Sequence, residues 1–211
     1  MASDTPRRIV EATANLFQRH GYTGTGLKQI SADSGVPFGS LYHFFPGGKE
    51  ELAAQTLRWS AQRYAARVGE VLANGPSDDV AAAVRHAFDQ AAEDLVATDF
   101  VDACPIATVA LEVASSNEPL RQVSAEIFEE WLQGLDAWFV AAGVPEKKAR
   151  EQSTLFLAAL EGGFLLSRAA RDPAPMRSLG RSVASQITAA IGQLSSSAAR
   201  QSRTRRVASG S

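Results

Sequence analysis

The chain has 211 residues, 45% hydrophobic and 21% charged, a globular composition with ample core material and no apolar run near the ~20 residues that span a bilayer. A net charge of -2 excludes a uniformly basic coat, so any affinity for nucleic acid must come from local charge placement. One cysteine, Cys104, rules out an intramolecular disulfide and a multi-cysteine zinc site, and His20, His43 and His86 lack paired-ligand spacing, so no metal or cofactor is expected.

Apolar residues recur at helical spacing almost throughout, and alternating strand patterns are missing. The first helix is predicted over 5–19. Ser3, Asp4 or Thr5 serves as its N-cap, Pro6 suits its first turn, and Ile9, Ala12, Leu16 and Phe17 form its apolar stripe. Gly21 is expected as a left-handed C-cap. A short helix over 27–34, a turn at Gly35-Val36 and a second short helix from Pro37 to about Phe45 follow, closed by Pro46-Gly47-Gly48. A long helix is predicted from Lys49 to about Leu72, with Leu57, Ala61, Tyr64, Val68 and Val71 on one face. Ser77 is expected to cap a helix over about 78–97, and a shorter one covers about 105–115. Pro119 opens a helix carrying Val123, Ile127, Trp131, Leu135 and Trp138 as far as Gly143. Helices from Pro145 to about Ala170 and over about 176–194 complete the set. The serine-rich 195–211 stretch, with Arg200, Arg203, Arg205 and Arg206, reads as a disordered basic tail. The N-terminal MASDTPRRIVEA has no apolar signal core, and a cytoplasmic location without membrane attachment is expected.

The 27–44 segment fits a helix-turn-helix. Two short helices must cross closely, and Gly35 supplies the left-handed turn between them. Ile30, Val36, Leu41 and Phe44 stand where apolar side chains pin the pair to each other and to the first helix, while Ser31 and Ser34 are small enough for close packing. The first fifty residues carry Arg7, Arg8, Arg19, Lys28 and Lys49 against Asp4, Glu11, Asp33 and Glu50. Affinity for a polyanion must therefore come from one positive edge.

The run Gly21-Tyr22, Thr25-Gly26-Leu27, Ile30, Gly35-Val36-Pro37, Gly39-Ser40-Leu41-Tyr42-His43-Phe44-Phe45 and Lys49-Glu50-Glu51-Leu52 resembles the DNA-binding domain of the TetR family. The TGLKQI and LYHFFPGGKEEL forms, with CPIATVALE at 104–112, resemble its LmrA/YxaF branch. The resemblance implies an all-α protein. An N-terminal three-helix helix-turn-helix domain (1–48) is joined to a helical ligand-binding and dimerisation domain (49–194), followed by the tail (195–211). It implies a transcription regulator, expected to be a repressor, that binds a palindromic operator as a homodimer and is released by a small apolar effector. The second motif helix would lie in the major groove with Pro37, Phe38, Gly39 and Ser40 at base edges. Phe38 stands where the branch often has lysine and suits a thymine methyl, while Ser40 suits a base or phosphate. Tyr42 and His43 would bond phosphates, although Tyr42 also reads as a packing aromatic and His43 as a surface histidine. Thr25 and Lys49, each at a helix start, would hold phosphates, and Lys28, Arg7 and Arg8 would add charge.

The resemblance also assigns the body. Its last two long helices would form the dimer interface, through Phe164, Val183, Ile187 and Ile191, with Gly162-Gly163 permitting close approach; an ordinary intramolecular core is the alternative. Phe88, Phe100, Cys104, Val109, Trp131, Phe156 and Phe164 are candidate walls of an effector pocket. The helix from Lys49 would be the lever, touching the reading head at its start and packing into the body near Trp59 and Tyr64. Cys104 reads as a buried hydrophobe, a redox sensor or a nucleophile, with the first favoured. Two rivals stand beside this reading. One is a constitutive DNA-binding regulator without a ligand. The other is an enzyme using Cys104 with His86, which lacks any marked oxyanion site.

Overall fold

The computed structural model describes residues 4–76, 79–101 and 103–208, with side chains described as far as Ile191. Among the described residues there are nine helices and no strand. The head consists of α1 (Thr5–His20), α2 (Leu27–Ser34) and α3 (Phe38–Phe44). The long α4 (Gly48–Asn74) runs from the head into a body of α5 (Val80–Ala97), α6 (Pro105–Val113), α7 (Glu118–Ala141), α8 (Glu146–Ala170) and α9 (Ala174–Ala208). No helix among the described residues is long and apolar enough to cross a membrane.

Local chemistry sets the helix ends. Asp79 accepts from the Ala82 N–H at 3.0 Å and caps α5, taking the role expected of Ser77, which lies outside the described residues. Asn117 caps α7 by accepting from the Leu120 N–H at 2.9 Å. At the start of α4, Glu51 reaches back to the Gly47 N–H at 2.7 Å, one residue later than the glutamate of a capping box. Gly35 takes the left-handed conformation (φ 64°, ψ 26°) required by the turn between α2 and α3. Gly21 also has positive φ (69°), but its ψ is extended (-177°), so the chain leaves α1 straight rather than curling into the expected left-handed cap.

Three apolar cores stack along the molecule. Ile9, Leu16, Ile30, Val36, Leu41, Phe45 and Leu52 close the head, with Trp59 packed on its edge rather than in the body. A middle core joins Phe17 of α1 to Ala53 and Leu57 of α4, Ile106, Val109 and Val113 of α6, and Leu120 and Ile127 of α7. The largest core, in the body, gathers Val84, Phe88, Phe139, Phe156, Leu160, Met176, Val183 and Ile187. Burying each such side chain contributes about 1.5–3 kcal/mol, so Phe17 alone ties head to body with a sizeable share.

Two of the four residues expected at the dimer interface, Val183 and Ile187 of α9, face inward. Val183 and Ile187 are 2% and 0% exposed and pack within the chain's own core, and Ile191 leans on the same core. The α9 stripe docks on α5 so closely that a Cβ at Gly180 would overlap Phe88. Gly163 likewise makes room for Met176 of the same chain, and Phe164 packs inward against the Tyr64 ring at 6.3 Å. Val183 and Ile187 are thus committed inside one chain, while Phe164 and Ile191 are half-buried. Helix α9 also continues through Ala208, over the stretch read as a disordered tail. Ala198, Ala199, Gln201 and the arginines there are strong helix formers, and extending a formed helix carries no nucleation cost.

Candidate DNA-reading head and body cavities

The turn of the motif is held by backbone and side chain together. The Val36 N–H donates to the Ser31 carbonyl at 3.2 Å, and the Ser31 hydroxyl donates to the Val36 carbonyl at 2.7 Å. Arg8 donates to the Ser34 carbonyl at 2.7 Å, which satisfies a terminal carbonyl of α2 and makes Arg8 structural. Arg7 is paired with Glu11 at 2.8 Å on the surface of α1.

Beyond this turn α3 turns aromatic rings outward. Phe38 and Tyr42 are 42% and 49% exposed and meet edge to face, 5.8 Å between centroids. That exposure favours the contact reading of Tyr42 over the packing reading. Pro37, Gly39, His43 and Lys28 are exposed and Ser40 is half-buried, so each of these candidates is open to an outside partner. A Cβ on Gly39 would meet nothing within 4 Å, so nothing inside the chain calls for glycine there. Helical glycine costs about 1 kcal/mol relative to alanine, and close approach of an outside surface is a reason to bear it. Phe44 is half-buried and Phe45 buried, as core residues of the head.

Two expected phosphate contacts are placed differently. Thr25 is buried and its hydroxyl donates to the Gly21 carbonyl at 2.7 Å, so it secures the turn after α1 instead of facing solvent. Lys49 is half-buried, with its ammonium 4.2 Å from the centroid of the Tyr22 ring. Burial pulls its pKa below the ordinary value, and the nearby Glu112 carboxylate opposes this. Lys49 thus stands at the junction of head and body.

That junction centres on Glu112, which sequence reasoning placed only as the last residue of the 104–112 run. Its carboxylate accepts from the Thr23 N–H at 2.7 Å. A Cβ at Gly21 would overlap the same carboxylate, so the extended glycine is what lets α6 reach the head. Asn117 donates to Glu50 at 2.7 Å and Gln18 to the Ala103 carbonyl at 3.3 Å alongside.

Two cavities open in the body among the described residues. One, of about 180 Å³, lies among α1, α4, α5 and α8 and includes Gln18, Ala91, Phe164 and the Arg67–Asp94 pair, 3.3 Å apart. The other, of about 220 Å³, lies among α4, α7 and α8 and includes Trp131, Trp138, Glu130 and Glu161. Tyr64, Val68, Phe156 and Leu160 wall both. Of the expected wall residues, Phe156, Phe164 and Trp131 line a cavity. The other four do not. Phe88 backs Phe156 edge to face at 5.4 Å, and Val109 sits in the middle core. Phe100 lies under the Arg171 guanidinium, 5.8 Å from its centroid. Cys104 is buried at the start of α6, where its sulfur accepts from the Ala107 N–H at 3.5 Å. Burial, and then Glu161, push its thiol well above the ordinary range, which disfavours thiolate chemistry and supports the buried-hydrophobe reading. His86 lies beside Gly75, at the turn between α4 and α5.

Glu161 was missed. It keeps some exposure overall, but its Oε1 is buried without a hydrogen-bond partner. Burial raises its carboxyl to about 7, and the Cys104 thiol moderates the rise. The signal was present in the sequence, because Glu161 is the one charged residue between Glu151 and Arg168, at helical spacing from Leu157 and Phe164.

Comparison with known proteins agrees with this geometry. Residues 9–56 match the family described as bacterial regulatory proteins, tetR family, and 80–182 match the transcriptional regulator LmrA/YxaF-like C-terminal domain. The chain is 33% identical over 175 residues to the HTH-type transcriptional regulator LmrA of Bacillus subtilis, covering 82% of this chain and 91% of that protein. YxaF of the same organism, an HTH-type transcriptional regulator, is 33% identical over 173 residues, covering 82% and 90%. The fold superposes on the regulatory protein TetR from Rhodobacter sphaeroides with a TM-score of 0.76 at 20% identity, covering 86% of this chain and 98% of that one. A TetR transcriptional regulator from Chloroflexus aurantiacus gives a TM-score of 0.72 at 28% identity, covering 88% and 94%. The matched families and relatives are transcriptional regulators, not enzymes. The chain therefore belongs to the TetR family of DNA-binding transcriptional regulators, in the branch with an LmrA/YxaF-like C-terminal domain.

Proposed function

We propose that the protein is a dimeric cytoplasmic repressor that reads a palindromic operator through α3 and is released by a small molecule bound in its body. The observation that carries this reading is continuous packing from the cavities to the head. Tyr64 and Val68 of α4 wall both cavities, and the same helix gives Leu52 to the head core. The start of α6, at Cys104, meets Glu161, and Glu112 near its end holds the turn after α1. A ligand that shifts either helix moves the head. Release needs only a ligand that prefers the dimer with wrongly spaced heads, and about 1.4 kcal/mol of preference is tenfold in affinity.

On DNA, Phe38 meets a thymine methyl and Ser40 a base edge or phosphate, while Tyr42, His43 and Lys28 bond the backbone. Lys49 is assigned to the junction first and to a phosphate second. The dimer is assigned to the outward face of α8, where Leu165 and Leu166 are 64% and 53% exposed. A second copy related by a two-fold axis covers this apolar pair and supplies the second reading head. The test is sedimentation of the full chain, alone and with a duplex selected from random DNA. Two chains per duplex are expected, with L165E/L166E sedimenting as a folded monomer. A wild-type monomer at micromolar concentration refutes the assembly.

A further inference from the structure

We infer that the cavity among α4, α7 and α8 takes a cationic ligand, a quaternary or protonated amine on an aromatic or aliphatic body, with Glu161 as its charge partner. This rests on the ligand-release reading above and names the class of effector. The cavity walls carry two carboxylates, Glu161 and Glu130, and no basic side chain. Oε1 of Glu161 is buried with no hydrogen-bond partner, and only the weakly polar Cys104 thiol offsets the desolvation of this carboxyl. The neighbouring cavity differs, because there Asp94 already has Arg67. Around Glu161 the walls are otherwise apolar and aromatic. Trp131 stacks on Tyr64 with centroids 5.7 Å apart, and Trp138 lines the same space. Ring faces attract cations, and desolvation strengthens the attraction. An anion would meet two carboxylates, and a neutral apolar molecule would leave Oε1 unpaired. The apolar effector expected from sequence thus acquires a positive charge.

The same carboxyl touches the Cys104 thiol at the start of α6. A cation that draws Glu161 into the cavity weakens this contact at one end of the helix whose other end holds Thr23. The titratable groups facing Glu161 are Tyr64 of α4, Glu130 of α7 and Cys104 at the start of α6. With its carboxyl raised to about 7, Glu161 is mostly protonated at pH 6 and mostly ionised at pH 8, so cation affinity rises with pH.

The test uses two probes of one shape, phenyltrimethylammonium and tert-butylbenzene, which differ in charge alone. Tryptophan fluorescence and thermal shift are read on the full-length protein. Wild type is expected to bind the cation at least about tenfold tighter than the hydrocarbon, and about tenfold tighter at pH 8 than at pH 6. E161Q is expected to lose most of the preference for the cation and all of its rise between pH 6 and pH 8. Equal affinities in wild type, or an undiminished preference in E161Q, overturn the inference and leave the ligand-release reading standing. If neither probe binds wild type, the inference falls and the cavity loses its role in release, while DNA selection still reads the head separately. The wild-type probe pair and pH series decide the matter even if E161Q does not fold.

Discussion

Replacing Glu161 by glutamine should stabilise the protein, and should do so more at pH 8 than at pH 5. The substitution keeps the shape of the side chain and removes its charge. Burial lifts the Glu161 carboxyl from 4.5 to about 7 in the fold. One pKa unit corresponds to about 1.4 kcal/mol, so the ionised form is penalised by about 3 kcal/mol. Between about pH 4.5 and 7 the folded chain holds a proton that the unfolded chain has released. Wild-type stability therefore falls as pH rises through that window and levels off above it. Glutamine has no proton to lose, so the stability gap between E161Q and wild type should widen by up to about 3 kcal/mol across it. Other titrating groups are common to both proteins and cancel in the comparison. Urea unfolding followed by tryptophan fluorescence, at pH 5 and pH 8 and one protein concentration, measures the gap. An equal gap at the two pH values would refute the buried, unpaired carboxyl and its electrostatic argument.

Phe38→Ala should lower operator affinity and erase the preference for thymine at one position per half-site, a loss of about 1–3 kcal/mol readable in a binding titration against point-substituted duplexes. Ile187→Asp should unfold the chain rather than produce a folded monomer, because it buries a charge in the α9 stripe; circular dichroism distinguishes the outcomes. Glu112→Gln should keep the fold but weaken the bond to the Thr23 N–H, so that DNA binding responds less to ligand at little cost in thermal midpoint.

What could be read from sequence was local. Caps, proline positions and the Gly35 turn act within a turn or two of helix, and α2 and α8 fall where those signals put them. The stripe Val183, Ile187, Ile191 marked one apolar face of α9 and was assigned to a second chain, because periodicity is the same whether the partner is α5 or another protomer. Thr25 showed the opposite limit. Its position at a helix start suggested a phosphate, and only the folded turn revealed the Gly21 carbonyl that claims its hydroxyl. Glu112 and Glu161 depend on contacts across many residues, to Thr23 and to Cys104. For Glu161 a trace was legible, as a carboxylate set on an apolar helical face. For Glu112, four residues after Thr108 on a short helix, no local pattern distinguished it from a solvated charge.

A hydroxyl-radical footprint of the full-length protein on a duplex selected from random DNA tests the central claim most directly. The account predicts two symmetric protected patches centred on successive major grooves, about one helical turn or a multiple of it apart, and their loss when Phe38 and Tyr42 are both replaced by alanine. A single protected patch, or two that survive the double replacement unchanged, would contradict it.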